Sequence, residues 1–445
     1  MGALVLVLAH VAPLLGMAES DEIAGRDVEV IDDRFVAAGE GITLRLNPPD
    51  KLGIVLDSEN ESWEDGPGGY FTVIEDQGKY KMYYGAFLTG ANGLCYAESS
   101  DAIHWIKPPL GIEEIHGSTQ NNVIYRDGSI DATIMVDPVD VPERRYKIFR
   151  SKISEDPEIR GIYGSCSADG IHFTEVGRVF PMFPETSICA YWDGRIGRYV
   201  VFMRVLNVGR PNLRAVGRLE MDDLLSPWPY NMDAPPSPQP TPAHVPIVLA
   251  TDKLDAMHTD FYTNAAFIYP YAQDVYLMFP AIFRQFTPET HPWFNFRETN
   301  GLLDVQVAVS RDGIHWKRPD RRPYFPLGLV DEWDRWLAIM GVGMVRRGNY
   351  LYQYYWSTGL LHDSVPLRPE YEGAIKPKNA IGALRQRLDR FFCAEAEYSG
   401  GWVTTPPITF SGARLRLNMD AGAVGHIFVE LRDIEGKSVP GYTRD

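Results

Sequence analysis

Five short stretches alternate apolar and polar positions around tyrosine or phenylalanine: residues 79–84, 145–149, 198–202, 274–279 and 349–355. A period of two sends successive side chains to opposite faces, so each stretch predicts a β-strand. Downstream of three of them a phrase recurs: Ser-Ser-Asp101-Ala-Ile-His104-Trp105, Ser-Ala-Asp169-Gly-Ile-His172-Phe173 and Ser-Arg-Asp312-Gly-Ile-His315-Trp316. Each copy ends an apolar run, places Asp-Gly or Asp-Ala where a tight turn needs unusual backbone angles, and resumes with an aromatic residue. Each is therefore a strand, a turn and a strand. The Asp positions lie 68 and 143 residues apart. The second interval is about twice the first, which predicts a degenerate copy between them. Residues 214–228 supply it, with Asp222 and Asp223 at the turn and Trp228 closing. A fifth unit fits between Trp333 and Phe392, so the pattern predicts an all-β chain whose residues 28–392 form a five-bladed β-propeller.

The texture changes after residue 392. Alternation in 400–410, 413–418 and 425–433 predicts a β-sandwich segment over 393–445, expected to be incomplete, with the borrowing of strands from near 41–46 as the alternative. The proline-rich stretch 231–242 predicts an extended surface connector between blades three and four. At the other end, the apolar run 3–18 is short for a membrane span and reads as a signal-peptide core cleaved after Ala18, so an exported, secreted or periplasmic protein is expected. Cys95, Cys166, Cys189 and Cys393 lack the compact spacing of a zinc site and are expected as free thiols. The net charge of −16 argues against nucleic acid as a partner, and no later segment could insert in a membrane. A neutral carbohydrate suits this surface; the oligomeric state is not legible.

These features resemble the five-bladed propeller glycoside hydrolases of the arabinanase, fructosidase and levansucrase type, and especially secreted propeller proteins of environmental bacteria. The resemblance rests on the blade phrase, on Asp137-Pro138 followed by residues 142–147, on Tyr191-Trp-Asp193, on Arg214 to Arg218 with Asp222-Asp223, and on the tail around Phe410. It implies cleavage of a poly- or oligosaccharide by paired carboxylates and no organic cofactor; a structural Ca2+ ion in the propeller channel is left open.

Glycosidic cleavage needs one carboxylic acid to protonate the leaving oxygen and one carboxylate as base or nucleophile. In a propeller the first residues of each inner strand face the axis. That selects Asp65, Asp131, Glu185, Asp260 and Asp334, with Glu64, Asp137, Asp193 and Glu332 as neighbours. The resemblance implies Asp65 as base or nucleophile, Asp131 as orienting residue and Glu185 as general acid. Asp260, Asp334, His258, Tyr262, Asn264, Arg204, Arg284 and Trp336 are the expected sugar-binding groups. Two other readings stay open: a non-catalytic propeller that binds glycan or protein, and a glycoside phosphorylase using Arg204, Arg210 and Arg214 for phosphate.

Overall fold

The computed structural model describes residues 3–9, 21–23, 32–58, 61–209, 211–272, 274–287, 300–362, 378–410, 417–422 and 425–443. Five antiparallel blades follow one another in sequence order. Blade one comprises Glu64–Asp76, Lys79–Leu88, Ala91–Ser99 and Val123–Tyr125, and blade two Thr133–Val136, Tyr146–Lys152, Gly161–Ser167 and Thr174–Phe180. Blade three comprises Cys189–Asp193, Arg198–Val205, Ala215–Met221 and Ile247–Leu249. Blade four is split into two short sheets, one led by Thr259–Phe261 and the other by Ala266–Ile268. In blade five Ile339–Met340, Tyr350–Ser357 and Ala380–Arg387 are completed by Asp50–Leu56 from before blade one, so the ring is closed by strand exchange between its two ends.

Inner strands of neighbouring blades are stitched directly to one another: Val73 N donates to Val342 O at 2.9 Å and Thr133 Oγ1 to Ile188 O at 2.6 Å. Between blades four and five Ala338 N donates at 2.9 Å to Leu303 O, on the third strand of blade four, Gly301–Val305. The expected tyrosine-rich strands are the second strands of their blades, and their aromatic side chains fill the spaces between blades. Tyr84, Tyr354 and Trp356 lie between blades five and one, Tyr83 and Ile148 between one and two, and Tyr324, Tyr355 and Phe391 between four and five. Burying each such side chain is worth about 1.5–3 kcal/mol, which is why the blades need no disulfide. All four cysteines are free.

The recurring phrase is a turn, as its residues demand. Asp101 Oδ1 accepts from the backbone N of Ile103 and His104 at 2.9 and 2.8 Å, while its other oxygen meets His104 Nδ1 at 2.6 Å. Asp169 and Asp312 repeat the arrangement with His172 and His315. The following residue is left-handed in all three, Gly170 and Gly313 with φ of 81° and 73° and Ala102 with 66°. The three histidines are exposed parts of blade architecture.

The tail borrows strands from the N-terminal side. Phe392–Ala396 pairs with Ile42–Leu46, and Gly401–Thr404 with Ala38–Glu40, both antiparallel. Ala3–Ala9 runs parallel between Gly401–Thr404 and His426–Arg432. Most of the run read as an export signal, and residues 411–416 of the tail, lie outside the described residues. One expectation is corrected: the proline-rich stretch joins the third and fourth strands within blade three, and does not link blade three to four. Its Pro240 is buried and not at the surface.

Candidate functional site

The inner strands carry a second repeated acid, at their far ends. Asp76, Asp137 and Asp193 each accept a hydrogen bond from a tyrosine on the second strand of the next blade: Tyr146, Tyr199 (2.7 Å) and Tyr276. These acids latch neighbouring blades, and they set a common register. Asp131 lies six residues before Asp137, and the residue six before Asp76 is Tyr70. Blade one therefore brings a tyrosine, and not a carboxylate, to the level of Asp131.

At that level one buried arginine organises the residues. Arg204, on the second strand of blade three and 3% exposed, donates through Nε and Nη2 to Tyr262 O at 3.0 and 2.6 Å. Its Nη1 reaches Glu185 O at 3.3 Å and Glu185 Oε2 at 3.4 Å, and its plane lies 4.3 Å from the Tyr262 ring. Gln239 Nε2 donates to the other oxygen of Glu185. Tyr70 is set against Thr186 and Tyr262, and burial pushes its phenol upward, reinforced by Tyr262 and opposed by Arg204. Asp131 is buried with Oδ2 lacking a partner among the described residues. Burial raises its pKa against the opposing hydrogen bonds of Ser151 and the charge of Arg204.

Blade four adds a second arginine pair. Asp260 is fully buried; its Oδ2 accepts from Arg214 Nη1 at 3.1 Å and Gln285 Nε2 at 2.8 Å, and its Oδ1 is unpartnered among the described residues. Burial raises this carboxyl too, opposed by Arg214 and Arg204. The Tyr262, Phe283 and His362 rings pack at centroid distances of 4.8 to 5.9 Å, with Arg214 5.4 Å from the Phe283 ring. Blade three thus pairs Glu185 with Arg204, whose charge also acts on the buried Asp131 of blade two and Asp260 of blade four, and aromatic groups come from blades one and four and from His362 of blade five.

The structure places the remaining expected residues elsewhere. Asp65 is exposed on the stretch of blade one that pairs with residues 86–88, beyond the level of Tyr70, and takes no part in the network around Arg204. That strand is 13 residues long and shifts register twice, so proximity to Gly68-Gly69 was a poor guide to where it meets the axis. Its neighbour Glu64 is buried between blades and ion-paired to Lys107 at 2.8 Å. Asp334 accepts from Tyr355 Oη and Lys51 Nζ, both at 2.6 Å, among the side chains between blades four and five. Alternation turns Arg284 away from Phe283, to Asp304 at 2.6 Å. Asn264 Oδ1 caps Ala266 N at 3.2 Å, His258 O accepts from Gln285 N at 2.9 Å, and Trp336 is buried beneath Arg335. Glu332 caps Leu329 N, and Arg210 lies outside the described residues. Tyr70, Thr186, Gln239, Gln285, Phe283 and His362 were not anticipated from the sequence. Only Tyr70 carried a signal, its spacing from the latch acid.

No family model and no curated protein matches the chain. Solved structures do. A complex described by the names BT0996 and RGII is 13% identical over 84% of this chain and 96% of its own, with a TM-score of 0.51. A structure described as "Glycoside hydrolase" matches at 13% over 84% and 96%, with a TM-score of 0.50. A thermostable family-43 glycoside hydrolase matches at 12% over 80% and 96%, with a TM-score of 0.43. The chain is similar in fold to propeller glycoside hydrolases, and at these identities the likeness is one of fold. Among the described residues no helix is long and apolar enough to cross a membrane.

Proposed function

We propose that the chain is an exported glycoside hydrolase that cleaves a poly- or oligosaccharide at the Arg204 cluster, without an organic cofactor. The observation that carries the reading is the Glu185–Arg204 pair together with two further buried carboxylates, Asp131 and Asp260, on which the Arg204 charge also acts, each keeping a buried carboxyl oxygen free of partners among the described residues. A buried polar atom left unpaired is costly, and such atoms recur where a ligand supplies the missing bond.

The environments divide the roles. Asp131, whose protonated form is favoured by burial, suits the general acid. Glu185, ion-paired to Arg204 and receiving the Gln239 amide, is set up as the base or nucleophile. Asp260, oriented by Arg214 and Gln285, is suited to accept sugar hydroxyls beside the Tyr262, Phe283 and His362 rings. Phosphorolysis would need Arg204 and Arg214 for phosphate, and carboxylates already hold both.

Those same ion pairs favour one other reading, a propeller that binds glycan without cleaving it. Reducing-sugar release across a glycan panel separates the two. Turnover that falls to background in Asp131→Asn and in Glu185→Gln supports hydrolysis; a glycan bound by the wild type with no product formed supports the binding propeller. Full activity in both variants would remove these residues from the chemistry.

A further inference from the structure

We infer that Gln239, on the proline-rich insertion of blade three, is a positioning residue for Glu185. The inference rests on the reading of Glu185 as a group that acts on substrate. Glu185 sits in a loop with φ of +61°, a left-handed backbone that a non-glycine residue keeps only when its surroundings impose it. Two independent donors impose the direction of its side chain. Arg204 Nη1 reaches Oε2 and Gln239 Nε2 donates to Oε1, so each carboxylate oxygen has its own partner and the plane of the group is defined.

The insertion is anchored where that contact needs it. Phe183 N donates to Pro238 O and Leu206 N donates to Pro240 O, both at 2.9 Å. Phe183 lies two residues before Glu185 and Leu206 two residues after Arg204, so Gln239 is clipped between the loop that carries the acid and the strand that carries its arginine. Prolines at 235, 236, 238, 240 and 242 restrict the backbone around it, which reduces the freedom lost in holding the amide in place.

The test compares Gln239→Ala, Gln239→Lys and Gln239→Glu with the wild type by crystallography and steady-state kinetics on the glycan that the wild type cleaves. Gln239→Ala should leave Glu185 in a different rotamer and lower kcat by about 10- to 100-fold, with KM within about twofold, because the misplacement is felt in the transition state. Gln239→Lys, which keeps a donor, should recover kcat to within about threefold, and Gln239→Glu, which sets a like charge against Glu185, should do at least as badly as alanine. An unmoved Glu185 in the alanine variant, or equal losses in the lysine and alanine variants, overturns the inference. If the wild type cleaves nothing on the panel while Glu185 moves in the alanine variant, the hydrolase reading fails and the positioning role stands. If Glu185→Gln abolishes turnover and Gln239→Ala leaves kcat intact, the positioning role fails alone.

Discussion

The two ends of the inner strands hold acids of the same type in opposite conditions. At one end the latch acids are saturated. Asp137 takes Tyr199 Oη and the Lys147 ammonium, both in the interior, and Asp76 takes Tyr146, Lys81 and Arg145. Burial alone would raise the Asp76 carboxyl, but the Arg145, Lys81 and Tyr146 bonds outweigh it and hold the group well below the usual carboxylate range. At the other end Asp131 and Asp260 are as well buried, yet each leaves an oxygen unpaired among the described residues and both are shifted upward. Packing explains the first set completely. It leaves the second at a cost in stability, and strain of that kind is retained where it serves binding or chemistry.

The sharpest way to break this comparison is to neutralise one acid of the site. Asp131→Asn should lower sugar release by about 10²- to 10⁴-fold, the usual contribution of an acid–base group, while the urea midpoint holds or rises. A variant that loses activity only in proportion to lost folded protein would reduce Asp131 to a structural acid. The matching change at the other end is Lys147→Met. It strands Asp137 in the interior and should cost about 3–5 kcal/mol in a urea titration, with the surviving folded protein keeping its turnover. Stability close to wild type would mean that the latch acids are as dispensable as surface charges.

The fold was legible because repetition multiplies a weak signal. One Asp-Gly-Ile-His turn is a common hairpin, but two of them and an Asp-Ala-Ile-His copy at related spacings, each downstream of a tyrosine-rich strand, leave few architectures other than a propeller. In the candidate site, the residues that fall at the start of short inner strands, Asp131 and Asp260, were readable from the sequence as buried acids. Blade one was less readable, because its 13-residue strand shifts register twice, leaves Asp65 exposed and sets Tyr70 against Thr186 and Tyr262. Asp334 was obscured because Lys51 comes from the exchanged strand that closes the ring, 283 residues away in sequence. Gln239 was hidden for a third reason: a proline-rich stretch reads as a linker unless the strands on either side are known to belong to one blade.

Acidity offers a test of the same contrast with smaller effects. The Asp76 carboxyl is lowered from 3.8 in the folded chain, so its contribution is complete above that value and is lost as pH falls through the folded pKa. Asp131 is raised from 3.8, so the folded state binds more protons than the unfolded state over the interval above that value, and stability falls as pH rises through it. Urea midpoints measured from pH 3 to 7 should therefore drop less with rising pH in Asp131→Asn than in the wild type. The stability difference between Asp76→Asn and the wild type should instead stay constant down to about pH 4 and only begin to shrink at the acid end of that range, because the folded pKa lies below it. Parallel curves for the two variants would show that the ends of the strand are electrostatically alike.

The mildest expected change is Tyr199→Phe, and it tests whether a latch is a sum of bonds or a unit. The Tyr199 hydroxyl donates to Asp137 Oδ2 at 2.7 Å, and the ring also packs against Trp192 with centroids 4.9 Å apart. Phenylalanine keeps the ring and removes only the donor. Asp137 retains the Lys147 ammonium and the backbone N of Val139 at 3.0 Å, so no buried charge is abandoned. The loss should then be that of one hydrogen bond to a charged group, about 1.5–3 kcal/mol, with the slope of the urea transition and the rate of sugar release unchanged. A loss as large as that of Lys147→Met would show that tyrosine, lysine and aspartate act cooperatively, since removal of either donor would then release the whole latch. A loss of turnover at unchanged stability would instead connect the two ends of the strand, and would mean that the register set by the latches reaches the carboxylates around Arg204.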